Sequence, residues 1–308
     1  MPKTFTTGLI AGAALLLGAG ATHAALPKEC DNWQAQHPNW LWCDDFESDS
    51  SLEQNYFDVN RAGGRFGVSS KTAYGGGASL KASYAKGVED AGGVKLSLGK
   101  TQVYPKRYTD RNFTDLYWRF YMKTSTNWVG QPMKVTRATI FTNSNWAQAA
   151  IGHLWEDGAL GMGMDPVSGV SGSTVVTTKW NDFANMRWLG KADGHTQVYA
   201  PENRDKWFCI QVHMKLNTPG QSDGVFAYWI NDQLEAQKTG LNWRGSYTDY
   251  GINTITLEAW TNNGAPQDQE RYFDNFVVST QPIGCDTTST PSAAAPKAPA
   301  NLSVTLAQ

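Results

Sequence analysis

The sequence predicts an all-β protein, an antiparallel β-sandwich of the jelly-roll kind, from three observations. Short segments rich in β-branched and aromatic residues recur along the chain, with turn residues between them. Helical periodicity is almost absent. Three segments alternate between apolar and polar residues, which is the pattern of a strand with one buried face. Strands without intervening helices pack as antiparallel sheets, face to face.

The individual strands follow from the same signals. Turn sequences such as Gly75–Gly77, Thr218–Gly220 and Asn262–Gly264 separate the apolar segments. The predicted strands cover residues 65–69, 79–84, 93–98, 115–123, 133–141, 149–155, 207–217, 225–231, 253–261 and 271–280. This number of strands is enough for two sheets in one domain.

The chain divides into three parts. Residues 1–24 are expected to be a signal peptide, with Lys3, an apolar run from Gly8 to Gly20, and small residues before a cleavage point at Ala24. That run of about 13 residues is shorter than the roughly 20 that span a bilayer, so no membrane anchor is expected. Residues 25–285 form the predicted jelly-roll domain. The protein is therefore expected to be secreted or periplasmic.

Composition separates the tail from the domain and limits the partners. Residues 286–308 are rich in Pro, Ala, Ser and Thr, which predicts a linker or disordered tail, and 298–305 look like the first strand of a fibronectin type III module. The 26 basic and 28 acidic residues nearly balance, so neither nucleic acid nor an anionic membrane is an expected partner. The 13 Trp and 12 Tyr support contact with sugar rings, and a monomer is expected.

All four cysteines lie in the exported part, where disulfides form. Three pairings are conceivable. We favour Cys30–Cys43, which closes a short N-terminal loop, and Cys209–Cys285, which fastens the end of the last strand to the strand that carries Cys209. The spacings do not match zinc or redox motifs, so a structural role is expected.

The alternating strands define a polar face. In segment 207–217 the apolar row leaves the opposite row Cys209, Gln211, His213, Lys215 and Asn217. In segment 115–123 the row opposite Trp118, Phe120 and Met122 is Tyr117, Arg119, Tyr121 and Lys123. In segment 253–261 the row opposite Ile255, Leu257 and Ala259 is Thr256, Glu258 and Trp260. If the three strands are neighbours, these rows form one surface.

Several motifs resemble the concanavalin-like jelly-roll polysaccharide lyases, a group that includes alginate and glucuronan lyases. The motifs are Trp42-Cys-Asp-Asp-Phe-Glu47, Leu116-Tyr-Trp-Arg-Phe-Tyr-Met-Lys123, Leu216-Asn-Thr-Pro-Gly220 with Asp223-Gly224, Tyr228-Trp-Ile-Asn-Asp232 and Tyr272-Phe-Asp-Asn-Phe-Val-Val278. The resemblance implies a groove that holds a polysaccharide. Arg119 and Tyr121 match the family pattern, and Tyr228 and Lys123 match it loosely. Where such lyases have a Lys-Gly-Gly-rich stretch, this chain has 129–137, so the resemblance gives little support for a catalytic lysine at Lys134.

The predicted chemistry is β-elimination in a uronic-acid polymer, an acidic polysaccharide. It needs a cation or donor at the C6 carboxylate, a base for the C5 proton and an acid for the leaving oxygen. Arg119 is the candidate carboxylate clamp, His213 or His153 the candidate base, and Tyr121 a candidate proton donor or acceptor. Candidate substrate-binding residues are Tyr117, Lys123, Gln211, Lys215, Tyr228, Glu258 and Trp260.

Other interpretations remain open. Arg119 can instead pair with a carboxylate such as Glu258. A lectin-like carbohydrate-binding module without catalysis, or a structural cell-surface protein, has the same fold signals. A retaining glycoside hydrolase needs carboxylates about 5 Å apart, and the only alternating set is Asp268, Glu270 and Asp274, of which the first two lie at a strand entry. No cofactor is required, and Asp44, Asp45 and Asp274 are candidate ligands of a structural calcium ion.

Overall fold

The computed structural model describes residue 1 and residues 28–104, 106–158 and 160–285. The expected signal peptide and the expected tail lie outside these residues, apart from Met1. In the described part no helix is long and apolar enough to span a bilayer.

Short strands make up most of the structure. They are β1 (Trp40–Asp44), β2 (Asp58–Asn60), β3 (Phe66–Ser69), β4 (Ser79–Tyr84), β5 (Asp90–Ser97), β6 (Asp115–Thr124), β7 (Met133–Phe141), β8 (Gln148–Glu156), β9 (Met162–Ser168), β10 (Val170–Ser171), β11 (Thr174–Val175), β12 (Arg187–Trp188), β13 (Ala192–Asp193), β14 (Phe208–Lys215), β15 (Gly224–Ile230), β16 (Gln233–Leu241), β17 (Thr254–Thr261) and β18 (Gln269–Ser279). The helices are α1 (Trp33–Gln36), α2 (Leu52–Asn55) and four 3-10 turns at Asp49–Ser51, Ala62–Gly64, Phe183–Asn185 and Pro201–Asn203.

Two large antiparallel sheets pack face to face, which confirms the predicted jelly-roll sandwich. Sheet 1 has the order β16-β15-β14-β6-β18-β4-β3, and β1 also pairs with β18. Sheet 2 has the order β12-β9-β8-β7-β17-β5-β2, and β13 also pairs with β9. The ten predicted strands are all present, whereas β1, β2, β9, β16 and the two-residue strands β10–β13 were not predicted.

The predicted alternation decides which side chains enter the core. Phe208, Ile210, Val212 and Met214 of β14 and Ile255, Leu257 and Ala259 of β17 are all buried between the sheets. Two polar pairs lie within this core: the Trp118 indole donates to Thr136 Oγ1 (3.0 Å), and Arg271 Nη2 donates to Glu156 Oε2 (3.0 Å). Each sheet therefore has one apolar face inside and one face outside.

Both predicted disulfides are present. Cys30–Cys43 ties the segment before α1 to β1, and Cys209–Cys285 ties the segment after β18 to β14. Cys43 and Cys209 belong to strands of sheet 1. The two terminal segments are thus fastened to the same sheet.

Candidate functional site

The outer face of sheet 1 contains most of the predicted site residues. β6 and β14 are neighbours, as expected, with Arg119 opposite Gln211 and Tyr117 opposite His213. The Tyr117 and His213 rings stack at 4.0 Å between centroids, and Arg119 Cζ lies 5.0 Å from the Tyr121 ring centroid. The sequence therefore placed these side chains correctly on one face.

The N-terminal segment covers this face. The Arg119 guanidinium forms an ion pair with Glu29, in which Nη1 donates to Oε2 at 2.8 Å. Tyr74 stacks on Tyr121 with 3.5 Å between ring centroids. Arg119 and Tyr121 consequently keep only 1% and 2% of their surfaces exposed.

The remaining residues of this face are also engaged in protein contacts. Gln211 Oε1 accepts from the backbone N–H groups of Ile283 (2.7 Å) and Gly284 (3.0 Å). His213 Nε2 bonds Asp115 Oδ1 at 2.7 Å. Lys123 Nζ donates to Asp205 Oδ1 at 2.6 Å. The catalytic role predicted for Arg119, Tyr121 and His213 stays a prediction, on a face that the segments containing Glu29 and Ile283 partly cover.

Two further predicted contact residues lie elsewhere. Lys215 is exposed at the end of β14. Tyr228 lies inside the core, with none of its surface exposed, and its hydroxyl donates to the Met162 carbonyl at 2.7 Å. Tyr228 therefore supports the packing of the two sheets.

The expectation that β17 shares a surface with β6 and β14 is wrong, because β17 belongs to sheet 2. Glu258 is paired with Arg137 of β7 (2.7 Å) and not with Arg119. His153, Glu258 and Trp260 therefore lie on the outer face of sheet 2, opposite to the face of Arg119. The predicted site residues are divided between the two outer surfaces of the sandwich.

The outer face of sheet 2 contains a row of aligned polar side chains that runs across the strands. From β9 to β2 this cross-strand row consists of Asp165, His153, Arg137, Thr256, Lys95 and Asp58. Residues that are directly opposite in paired strands point to the same side of the sheet. With strands about 4.8 Å apart, the six strands span about 24 Å. A linear polymer can lie along such a row.

A second, aromatic row lies beside the first. Lys134 of β7 is opposite both Trp155 of β8 and Trp260 of β17, and Trp260 is opposite Asp90 of β5. Lys134 Nζ lies 5.7 Å from the centroid of each tryptophan ring. Parts of the two rows line one cavity of about 340 Å³, which we call the groove. Its lining consists of Lys95, Arg137 and Thr256 of the first row, Asp90, Lys134 and Trp260 of the second row, and Asn60, Gly92, Gly93, Trp180, Asn181 and Glu258.

Lys134 differs from the other cations of the groove in its surroundings. Arg137 bonds Glu258, and Lys95 forms an ion pair with Asp58. Among the described residues no hydrogen bond or ion pair to the Lys134 ammonium is found. Burial, which leaves 9% of Lys134 exposed, lowers its pKa, and the neighbouring charges of Arg137 and Lys95 add to this effect while Glu258 opposes it. A lysine with a lowered pKa in a groove is typical of proton-transfer sites.

Arg137 and His153 form the middle of the cross-strand row, below the segment that contains Trp180. Arg137 Nη1 donates to Asn181 Oδ1 at 2.8 Å, and its guanidinium carbon lies 4.1 Å from the Trp180 ring centroid. His153 is 2% exposed, and neither ring nitrogen has a hydrogen-bond partner among the described residues. Burial and the charges of Arg137 and Lys134 hold the pKa of His153 well below its usual value, so its imidazole is neutral.

Sequence reasoning missed Lys95, Arg137 and Lys134 as members of one site for a structural reason. Lys134 and Arg137 are three positions apart, so strict alternation places them on opposite faces of β7. An irregularity in the pairing of β7 with β8 between Lys134 and Thr136 shifts the phase and brings both to the outer face. For Lys95 a sequence signal exists: Val94 and Leu96 on either side of it are apolar, and this alternation within β5 predicts that Lys95 faces outward.

Candidate calcium ligands are occupied by protein donors. Asp44 accepts from the Phe46 N–H and the Tyr56 hydroxyl, both at 2.9 Å, and Asp274 accepts from the N–H of Tyr74 at 2.7 Å. Within the described residues no group of three or more His, Cys, Asp or Glu side chains is arranged to hold a metal ion. The calcium site stays a prediction.

Comparisons with known proteins find the fold in solved structures. No family model and no curated protein matches the chain. The glucuronan lyase of the fungus Trichoderma reesei superposes with a TM-score of 0.54 at 11% identity, over 79% of this chain and 96% of that one. The alginate lyase vAL-1 from Chlorella virus gives 0.55 at 14% identity, over 78% and 99%. An alginate lyase from Aplysia kurodai gives 0.53 at 13% identity, over 79% and 99%.

These similarities define the class of fold. The chain has the jelly-roll β-sandwich of the alginate and glucuronan lyases, which confirms the resemblance seen in its sequence motifs. At 11–14% identity the likeness concerns the fold alone.

Proposed function

We propose that this protein is a secreted polysaccharide lyase that cleaves a uronic-acid polymer by β-elimination in the groove of sheet 2. The observation that carries the proposal is Lys134, a cation without an ion-pair partner among the described residues and with a lowered pKa, between two tryptophans on the groove floor. Lysines of this kind act as general bases near neutral pH. Tryptophan rings offer apolar surfaces on which sugar rings pack.

The groove residues can supply the steps of the elimination. The Lys134 amine removes the C5 proton, the electron pair of that C–H bond forms the C4–C5 double bond, and the C4–O4 bond breaks. The leaving O4 oxygen takes a proton, which the Lys134 ammonium supplies when H5 and O4 lie on the same side of the ring. The product chains are one with a new hydroxyl end and one with an unsaturated uronate.

Lys95 and Arg137 are the two other cations in the lining of the groove, and they are the candidates for neutralising the substrate carboxylate. C5 becomes acidic only when the negative charge of the C6 carboxylate is neutralised. Lys95 lines the groove two strands from Arg137, between the rings of Trp146 (5.3 Å) and Trp180 (5.5 Å). We assign the neutralisation of the substrate carboxylate to Lys95. Arg137 instead holds Glu258 in place through their ion pair. Three cations face two carboxylates in the lining, which favours an acidic polymer.

Two further observations support the proposal. A variant of alginate lyase Aly36B, whose fold matches with a TM-score of 0.50, was solved in complex with an alginate trisaccharide. The two disulfides agree with an oxidising, extracytoplasmic location, since such bonds are rare in the cytosol.

A pair of lysine variants tests the proposal. The protein is incubated with alginate, glucuronan and related polyuronates, and unsaturated uronate is followed by ultraviolet absorbance. We expect turnover by the native protein and a loss of about 100-fold or more in Lys134→Ala, because general acid–base groups contribute about 10²–10⁴. Lys206→Ala, at an exposed lysine just before β14, is the control and should retain full activity.

The outcomes separate the parts of the proposal. No absorbance change with any polyuronate would remove the lyase function, and binding without turnover would indicate a lectin-like module instead. Full activity in Lys134→Ala would leave a lyase whose base is another residue. The pH dependence gives a further check: because the base must be deprotonated, activity should rise with pH through the lowered pKa of Lys134.

A further inference from the structure

A segment between β11 and β12 crosses the outer face of sheet 2. We call residues 177–186 the strap. Its first residue is held to β8: Thr177 Oγ1 accepts from the Gln148 N–H (2.8 Å) and donates to the Gln148 carbonyl (2.9 Å). The Asn181 N–H donates to Gln148 Oε1 at 2.7 Å. The chain then continues into β12, which pairs with β9 at the sheet edge.

The strap covers the β8–β9 end of the cross-strand row. Phe183 lies over His153, with 6.0 Å between ring centroids. The outer-face residues Ile151 of β8 and Val167 of β9 have no exposed surface, and His153 has 2%. A polysaccharide chain therefore cannot contact His153 while the strap is in place.

Two strap residues form the boundary of the groove. Trp180 and Asn181 line the cavity and contact the Arg137 guanidinium, as described above. From Arg137 the open part of the row continues across β17 and β5 to Asp58 in β2. With strands about 4.8 Å apart this open part measures about 14 Å, against about 24 Å for the whole row. The groove is thus open toward β2 and closed at Arg137.

The strap is held firmly enough to act as a fixed boundary. Asp182 accepts hydrogen bonds from the Thr178 N–H (2.9 Å), the Thr178 hydroxyl (3.0 Å) and the Asn185 amide (3.0 Å). Trp180 packs against Phe141 and Trp146, with ring centroids 5.4 and 5.5 Å away. Aromatic packing of this kind adds to the free energy that keeps the strap on the sheet.

From this geometry we infer that the protein degrades its polymer from a chain end. The inference rests on the proposed function. The polymer enters over β2 and β5, its end meets Trp180 and Asn181, and the elimination described above releases short oligosaccharides. An internal cut requires a chain that continues past the cleavage point on both sides, and the lining of the groove ends at β7 and the strap, with no residue of β8 or β9 in it.

The size of the products tests the inference. Polyuronate is digested with the native protein while viscosity, unsaturated product and product length are followed together. End-wise action gives short unsaturated oligosaccharides from the first time points, and viscosity falls slowly. An early fall in viscosity with long unsaturated chains would overturn the inference and leave the lyase function intact. Absence of unsaturated product would instead count against the lyase function itself.

Variants of the strap test whether the strap is what limits cleavage to the chain end. Asp182→Ala removes the internal bonds of the strap without changing a groove residue, and Asp223→Ala is the matched control, because Asp223 makes the same bonds to Thr218 in the turn between β14 and β15. We expect longer products and faster hydrogen exchange of strap amides in Asp182→Ala alone. The double variant Trp180→Ala/Asn181→Gly removes the boundary side chains and should also lengthen the products. Product lengths that stay unchanged in both strap variants would overturn the role of the strap.

Discussion

The two disulfides close loops of very different length, which predicts different contributions to stability. Cys209–Cys285 joins residues 76 apart, and Cys30–Cys43 joins residues 13 apart. In the chain-entropy description a cross-link stabilises the folded state by restricting the unfolded chain, and its contribution increases with loop length. The relation gives about 4.5 kcal/mol for the long loop and about 3 kcal/mol for the short loop.

Two double variants measure this difference. Cys209→Ser/Cys285→Ser and Cys30→Ser/Cys43→Ser are each unfolded in urea and followed by tryptophan fluorescence. We expect the first to lose about 1.5 kcal/mol more of its free energy of unfolding than the second. The transition slope of each variant shows whether the unfolded state itself has expanded. An equal loss, or a larger loss for the short loop, would refute the argument from loop entropy.

The same variants distinguish the two outer faces of the sandwich. Breaking Cys209–Cys285 loosens the segment that bonds Gln211 on sheet 1, whereas the groove of sheet 2 keeps its contacts. If the protein has the lyase activity proposed above, we expect folded protein of both double variants to retain it. A loss confined to Cys209→Ser/Cys285→Ser under folding conditions would place the chemistry at Arg119 and Gln211 instead.

Substitutions at Asp44, Arg271 and Gly92 should each change the free energy of unfolding. Burial raises the pKa of Asp44 from 3.8 to about 6, so its contribution to stability is greatest at low pH; this contribution to the free energy of unfolding should fall by about 2 kcal/mol between pH 4 and 6, and Asp44→Asn should remove that part of the pH dependence. Arg271→Met leaves Glu156 without its ion-pair partner in the core and should cost about 3–5 kcal/mol, part of which the further change Glu156→Gln recovers, because the amide oxygen still accepts from Gln131 and Trp128. Gly92→Ala should cost about 1–3 kcal/mol in thermal unfolding, because φ is 101° and the new methyl group would contact Phe66.

The parts of the fold that the sequence predicted are those with a regular pattern. Phe208 to Met214 and Ile255 to Ala259 alternate without interruption, and their inward and outward faces are as predicted. β16 was not predicted because it is a polar edge strand, in which Leu234 is exposed and the apolar residues do not form a row. β9 contains Pro166 and Gly163, which weaken the signal of a strand.

The candidate site was harder to predict because alternation defines a face within one strand and not the sheet to which the strand belongs. Arg119 and Glu258 both face outward, as predicted, yet they lie on opposite surfaces of the sandwich. Their actual partners are Glu29 and Arg137, which are distant in sequence from them. Such pairings depend on the order of strands, which local patterns do not contain.

The two disulfides explain how the outer face of sheet 1 comes to be covered. Cys43 and Cys209 both lie on strands of sheet 1, so the segments that contain Glu29 and Ile283 are bound to that sheet. There they supply the partners for Arg119 and Gln211, whose burial would be costly without them. On sheet 2, Lys134 has no such partner among the described residues and lies in an open groove. The excess of cations in the lining of this groove favours a ligand of negative charge, and the uronate polymer proposed above has that charge.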